Sequence, residues 1–128
     1  MRIAKEDVPV RIDVPGATAR QVTNFGDATG YGKIGGEYFS LGEGTDLTEL
    51  LKGLEGDLCQ CPHWGYIIDG TLTVSFADGS QEIAVSNDLF YWPPGHTIKA
   101  ELATEMVLFS PQHEHSQVID HILEKVQE

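Results

Sequence analysis

The stretch "TLTVSF", residues 71 to 76, alternates strictly. Leu72, Val74 and Phe76 fall on one face and Thr71, Thr73 and Ser75 on the other, the period of a half-buried β-strand. The same reading extends along most of the chain. "ARQVTNFG" (19 to 26) and "GGEYFSLG" (35 to 42) read as strands closed by glycines, and "DLCQCPHWGYIIDG" (57 to 70) as a strand leading into the alternating one. "QEIAV", "SNDLFYWPPGH", "TIKAELA" and "TEMVLFSP" continue the series to Pro111, with Asp78-Gly79 marking a tight turn. Residues up to about Gly16 alternate around Pro9 and Pro15, which suits edge or extended structure. Two stretches depart from period two. Leu47, Leu50 and Leu51 share a helical stripe behind Asp46 and Glu49, a capping-box pair, and Gly53 is a stop; this predicts a short helix near residues 46 to 52. Val118, Ile119, Ile122, Leu123 and Val126 predict an amphipathic helix over about 115 to 127. Short, evenly spaced strands closed by one helix indicate an all-β sandwich or barrel.

Length and charge narrow the picture. The 128 residues suit one domain spanning 1–128, with a barrel core over about 20–111, and a chain of this size buries roughly two-thirds of its unfolded surface. Eight basic against twenty acidic residues give a net charge of −12, which argues against nucleic acid and against anionic membrane surfaces as partners. The N-terminal residues hold no apolar signal-peptide core, and no run approaches the ~18 apolar residues of a membrane helix. A cytoplasmic location is expected, where thiols stay reduced. On an extended strand Cys59 and Cys61 would lie roughly 6.5 Å apart with badly aimed side chains, so two free thiols are expected.

Two stretches carry a family resemblance. "GYIIDGTLTVSFADG" resembles the end of the first motif of the cupin superfamily, and "NDLFYWPPGHTIKAE" resembles the second, where a strand ends in proline, any residue, glycine. The resemblance covers about half the chain and implies a small jelly-roll barrel, the double-stranded β-helix. The usual cupin set of three histidines and one glutamate is absent. Its glutamate position falls on His63 and its first two histidine positions on Asp57 and Cys59, or one residue earlier with a longer spacer. The second-motif histidine position falls on Ile98, whereas His96 follows Gly95 directly. The superfamily spans dioxygenases, isomerases, decarboxylases and ligand sensors. The resemblance therefore implies a small-molecule-binding protein in which a divalent metal is possible, or a metal-dependent enzyme of dioxygenase, isomerase or lyase type acting on a small metabolite.

Within that frame the candidate pocket comprises Cys59, Cys61, His63, Tyr66 and His96. Asp57, Cys59, Cys61 and His63 share strand parity and could face one way, although Pro62 removes a ladder donor among them. His63, His96 and Cys59 are the first candidates as metal ligands, with Cys61 and Asp57 behind. Sulfur with imidazole suits zinc first and iron second, and three protein ligands would leave one position open. The competing reading is equally physical: cysteine packs as a small hydrophobe, and a histidine beside proline is often a hydrogen-bonded wall residue. Pro93-Pro94-Gly95 reads as a structural turn. Parity splits Trp64, Tyr66, Phe90, Tyr91 and Trp92 between two faces, and an outward aromatic set would suit the homodimer common among small cupins. His113 and His115 flank Glu114 and read as solvated surface. No nucleophile elbow or phosphate-cradling glycine loop occurs.

Overall fold

The computed structural model describes residues 2–25 and 32–127. Gly26, the expected end of the first strand after Gly16, lies outside the described residues. Among the described residues seven strands form one antiparallel ribbon: β1 (Val10–Val14), β2 (Ala17–Val22), β3 (Ile34–Leu41), β4 (His63–Phe76), β5 (Gln81–Val85), β6 (Leu89–Trp92) and β7 (His96–Pro111). The order is β1-β2-β3-β7-β4-β5, with β6 also paired to β4. One α-helix, α1 (Gln112–Val126), follows β7 directly. The architecture is all-β with a C-terminal helix, a jelly-roll barrel. Among the described residues no helix is long and apolar enough to cross a membrane.

Two long strands replace what the sequence divides into four. "GYIIDG" and "TLTVSF" are one strand, β4, whose register against β7 shifts between Ile67 and Leu72. Such bulges bend a strand without ending it. Gly70 sits in the bend at φ 121°, and a Cβ there would collide with the Thr104 hydroxyl and the Ala103 carbonyl. "TIKAELA" and "TEMVLFSP" likewise join as β7, which crosses from the β4 side to β3. The sequence places breaks there because the alternation loses phase at the bulges.

Other boundaries move as well. The chain from Asp57 to Pro62 is not strand; Asp57 takes a left-handed φ of 57° inside the 3-10 turn Glu55–Asp57. The short helix is a 3-10 turn, Thr48–Leu51, with the Asp46 carboxylate accepting from the Thr48 N–H at 2.9 Å. A single turn without the full capping box is too short to hold an α-helix by itself. Helix α1 begins at Gln112, before the expected start at 115, because Pro111 ends the strand and its fixed φ suits the helix entry.

The core is the inner face of the ribbon: Ile67, Leu72, Val74, Ala100, Met106 and Leu108 are buried. Val118, Ile119 and Ile122 of α1 pack into this core together with Leu51. Full burial of each large aliphatic side chain is worth roughly 1.5–3 kcal/mol, which is what holds the helix across the barrel. The outer face is different. Trp64 stacks on Tyr91 at 5.2 Å between ring centres and lies opposite Phe109, and all three remain partly in solvent.

Candidate metal centre

The Pro93-Pro94-Gly95 turn brings three candidate ligands together. Gly95 adopts φ 90°, and its N–H and that of His96 donate to the Cys59 carbonyl at 2.8 and 3.2 Å, while the Cys59 N–H donates to the His96 carbonyl at 2.9 Å. Cys59 is thereby pinned beside the first residue of β7. His63, the first residue of β4, faces the same space. Cys59, His63 and His96 are buried, and their ligand atoms lie within 4.8 Å of one another.

The hydrogen bonds decide which ring nitrogens are free. His96 Nδ1 lies 2.8 Å from the Pro93 carbonyl, which can only accept, so this nitrogen carries the proton and Nε2 keeps its lone pair. His63 Nδ1 lies 2.6 Å from Ser110 Oγ, and Ser110 donates its own proton to Glu37 Oε1 at 2.6 Å. Ser110 must then accept from His63 Nδ1–H, which leaves the His63 Nε2 lone pair facing Cys59 Sγ at 3.5 Å. Each imidazole is held by one nitrogen and offers the other, the arrangement in which metal-ligating histidines are usually found.

Burial governs the protonation states. It pushes the Cys59 thiol up to about 12, with the Glu37 charge adding to the rise. It holds His63 well below the usual histidine range, aided by the neighbouring His115 and His96. It lowers His96 to about 4, partly offset by the bond to Pro93. The group is therefore one neutral thiol and two neutral imidazoles at neutral pH. A divalent ion fits this donor set, because imidazole binds in its neutral form and only the thiol has to lose a proton.

Two residues read from the sequence as surface or as plain strand belong to the cluster. His115, on α1, is buried, and its ring centre lies 4.3 Å from that of His63. Its Nδ1 donates to Glu37 Oε2, which also accepts from Gln21 Nε2 at 3.0 Å. Glu37, His63 and His115 form a second group of ligand atoms within 4.8 Å, sharing His63 with the first. Both had a legible signal. Glu37 has the strand parity of the buried Phe39 and Leu41, and His115 precedes Val118, Ile119 and Ile122 at helical spacing. A titratable side chain on an apolar stripe is the pattern that marks them.

Three other sequence candidates lie elsewhere. Cys61 is buried, but its Sγ faces the carbonyls of Pro62 at 3.4 Å and Pro111 at 3.8 Å, in a neighbouring cavity beside Gln60 and Glu114. Without strand geometry before His63, parity does not carry from Cys59 to Cys61. Tyr66 does not line the cavity of Cys59 and His63; its hydroxyl donates to Asn87 Oδ1 at 2.6 Å. Asp57 is exposed and accepts from the Gly53 N–H at 3.0 Å. Both cysteines are free thiols, as expected.

The cavity enclosed by Cys59, His63, His96, His115 and Trp92 measures about 30 Å³, and Val118 and Ile122 of α1 cover it. That is room for about two water-sized groups. The otherwise apolar lining, including Leu51, Met106 and Leu108, raises the strength of any electrostatic interaction inside it.

No protein-family model and no curated protein matches the chain. Solved structures do. An RmlC-like cupin from Shewanella frigidimarina superposes with a TM-score of 0.58 at 14% identity, covering 85% of this chain and 88% of that one. Oxalate decarboxylase from Bacillus subtilis gives 0.57 at 22% identity over 86% of this chain. The Lactobacillus farciminis oxalate decarboxylase in its formate complex gives 0.58, also at 22% identity. This chain spans only 29% and 32% of those two longer proteins. The fold is that of the cupins. The cluster draws its carboxylate, Glu37, from β3 and its third imidazole, His115, from α1.

Proposed function

We propose that this protein is a metal-binding cupin that holds one divalent ion, zinc first and iron second, between Cys59 Sγ and the Nε2 atoms of His63 and His96. The observation carrying this reading is the pair of imidazoles tied at Nδ1 to Pro93 and Ser110, with both free nitrogens beside one buried thiol. The ion would supply Lewis acidity and an open coordination position. The chain's own residues supply the rest. Glu37 orients His63 through Ser110, the apolar lining excludes bulk water, and α1 limits what enters. The bound small molecule is accordingly of a few atoms; a larger metabolite requires α1 to move aside.

Elemental analysis of tag-free protein beside His63→Ala tests this. Near one equivalent of metal in the parent and none in a folded variant is expected. Equal metal in both, or none in the parent even after incubation with zinc or iron(II), defeats the assignment. A second reading, a metal-dependent enzyme, is favoured by the hydrogen-bonded Glu37–His115 pair next to His63, which could move protons at the site. Under that reading His115→Gln abolishes turnover of a small substrate while retaining the metal.

A further inference from the structure

The cavity of about 30 Å³ at the metal centre takes an ion and one further water-sized group. With the Cys59 thiolate and the buried Glu37 carboxylate, a divalent ion leaves the cluster neutral, so charge balance calls for nothing more. An ion must still reach the site, and one wall has to move. Most of the lining belongs to strands: Phe39, His63, Trp92, His96, Met106 and Leu108 lie on β3, β4, β6 and β7, which ladder hydrogen bonds hold together. Helix α1 is held differently. Among the described residues its backbone bonds another element only at its first residue, where the Gln112 N–H donates to the Lys33 carbonyl at 2.8 Å. Beyond that point side chains alone fasten it. Val118, Ile119 and Ile122 pack into the core, His121 Nε2 donates to the Lys52 carbonyl at 2.8 Å, and Asp120 accepts from Arg11 at 2.8 Å. Arg11 also donates to Gln21, and Gln21 and His115 both donate to Glu37 Oε2. The other Glu37 oxygen accepts from Ser110, which holds His63. The helix and a metal ligand therefore hang on one carboxylate.

We infer that α1 is a latch that gates metal exchange: an ion enters or leaves only when α1 swings out from its pivot at Gln112, and a bound ion is trapped while the helix is docked. This inference rests on the metal reading above and adds to it how the ion is kept. Undocking α1 breaks no sheet ladder, whereas moving any strand of the wall does. It exposes three buried aliphatic side chains and parts His115 from Glu37, so openings are rare. The ion is then a resident of the fold, lost at the pace of the helix, and not one that tracks the free metal around the protein.

The test follows zinc loss from the loaded protein to a chromogenic chelator in excess. In the parent the rate should not depend on chelator concentration, because opening limits it. Ile119 on α1 and Leu72 on β4 are both 0% exposed, and neither lines the cavity. Ile119→Ala should speed zinc loss by about tenfold or more, since truncating a buried isoleucine loosens the docked helix. Leu72→Ala, which loosens the barrel away from the latch, should change it by no more than about twofold. Hydrogen exchange on the zinc-loaded parent, at a pH where opening limits it, gives the opening rate of α1 directly and decides the matter even if a variant does not fold. Zinc should leave no faster than the α1 amides exchange. A loss rate that rises in proportion to chelator, equal rates in the parent and Ile119→Ala, or zinc loss faster than α1 opening overturns the inference and leaves the metal reading standing. A parent that takes up no metal removes both.

Discussion

In the β4–β6 ladder His63 lies opposite Trp92, and the next rung sets Trp64 opposite Tyr91. The first pair is buried among two histidines and a thiol; the second is half in solvent, on a face where Leu89 is 84% exposed. Both pairs consist of aromatic rings on the same two strands, separated by one residue. The difference is the pleat, which sends successive side chains to opposite faces. On the inner face burial suppresses the protonation of His63 and His96, and each of these rings is hydrogen-bonded at Nδ1. On the outer face the rings stack and carry no such network. Adjacent, chemically similar positions therefore answer to different physics, and substitutions across them should separate cleanly.

The largest contrast concerns metal. His63→Ala should lose the bound ion altogether, whereas Trp64→Ala should keep it, as metal analysis of the two proteins side by side would reveal. Glu37→Ala comes next. It leaves Ser110, Gln21 and His115 without their acceptor in the core, and removal of one partner from such a buried network costs about 3 kcal/mol. Denaturant unfolding at neutral pH measures it, and a loss below 1 kcal/mol would show that the carboxylate is not the hub of this network.

Acidity affects the inner face in a defined window. His96 is held at about 4 in the fold against 6.5 for the free side chain, so the unfolded chain takes up the proton first. Metal-free protein should keep its full stability above pH 6.5 and lose about 3 kcal/mol as the pH falls to about 4. His63 shifts in the same direction and adds to the loss. Thermal melts across that range check the sign; stability rising toward pH 5 would contradict it. The two cysteines give a smaller, sharper comparison. Cys59→Ala should erase the sulfur-to-cobalt charge-transfer band and Cys61→Ala should retain it, while each costs only about 1 kcal/mol in stability. The smallest effect belongs to the outer face. Trp64, Tyr91 and Phe109 are uncharged on a chain of net charge −12, and we propose that a second copy covers them. Trp64→Ala should then shift sedimentation toward the monomer with under about 1 kcal/mol lost from the fold; a monomeric parent at micromolar concentration sinks the proposal.

Much of this was readable in advance, and the misses are instructive. "TLTVSF" and the Val118–Ile122 stripe announced their faces because each has a single local period. Cys59, His63 and His96 could be nominated because the two strand-ending motifs place them near one another in a jelly roll. Cys61 and Tyr66 lie outside the cavity of Cys59 and His63: parity does not carry across Pro62, where the chain is not strand, and Tyr66 has the opposite parity to His63 on β4. His115 reads as surface beside Glu114, and only the stripe it shares with Val118, Ile119 and Ile122 marks it as buried.

Sequence alone determined the all-β pattern, the closing helix and the net negative charge, since each follows from local periodicity or composition. Tertiary structure decided which titratable groups meet. Glu37 and His115 are 78 positions apart in the chain and share a hydrogen bond, and no local pattern encodes a distance across the barrel. It also decided that α1 seals the site down to about 30 Å³. A cavity's volume is set by how separate elements pack, and that packing exists only once the chain has folded.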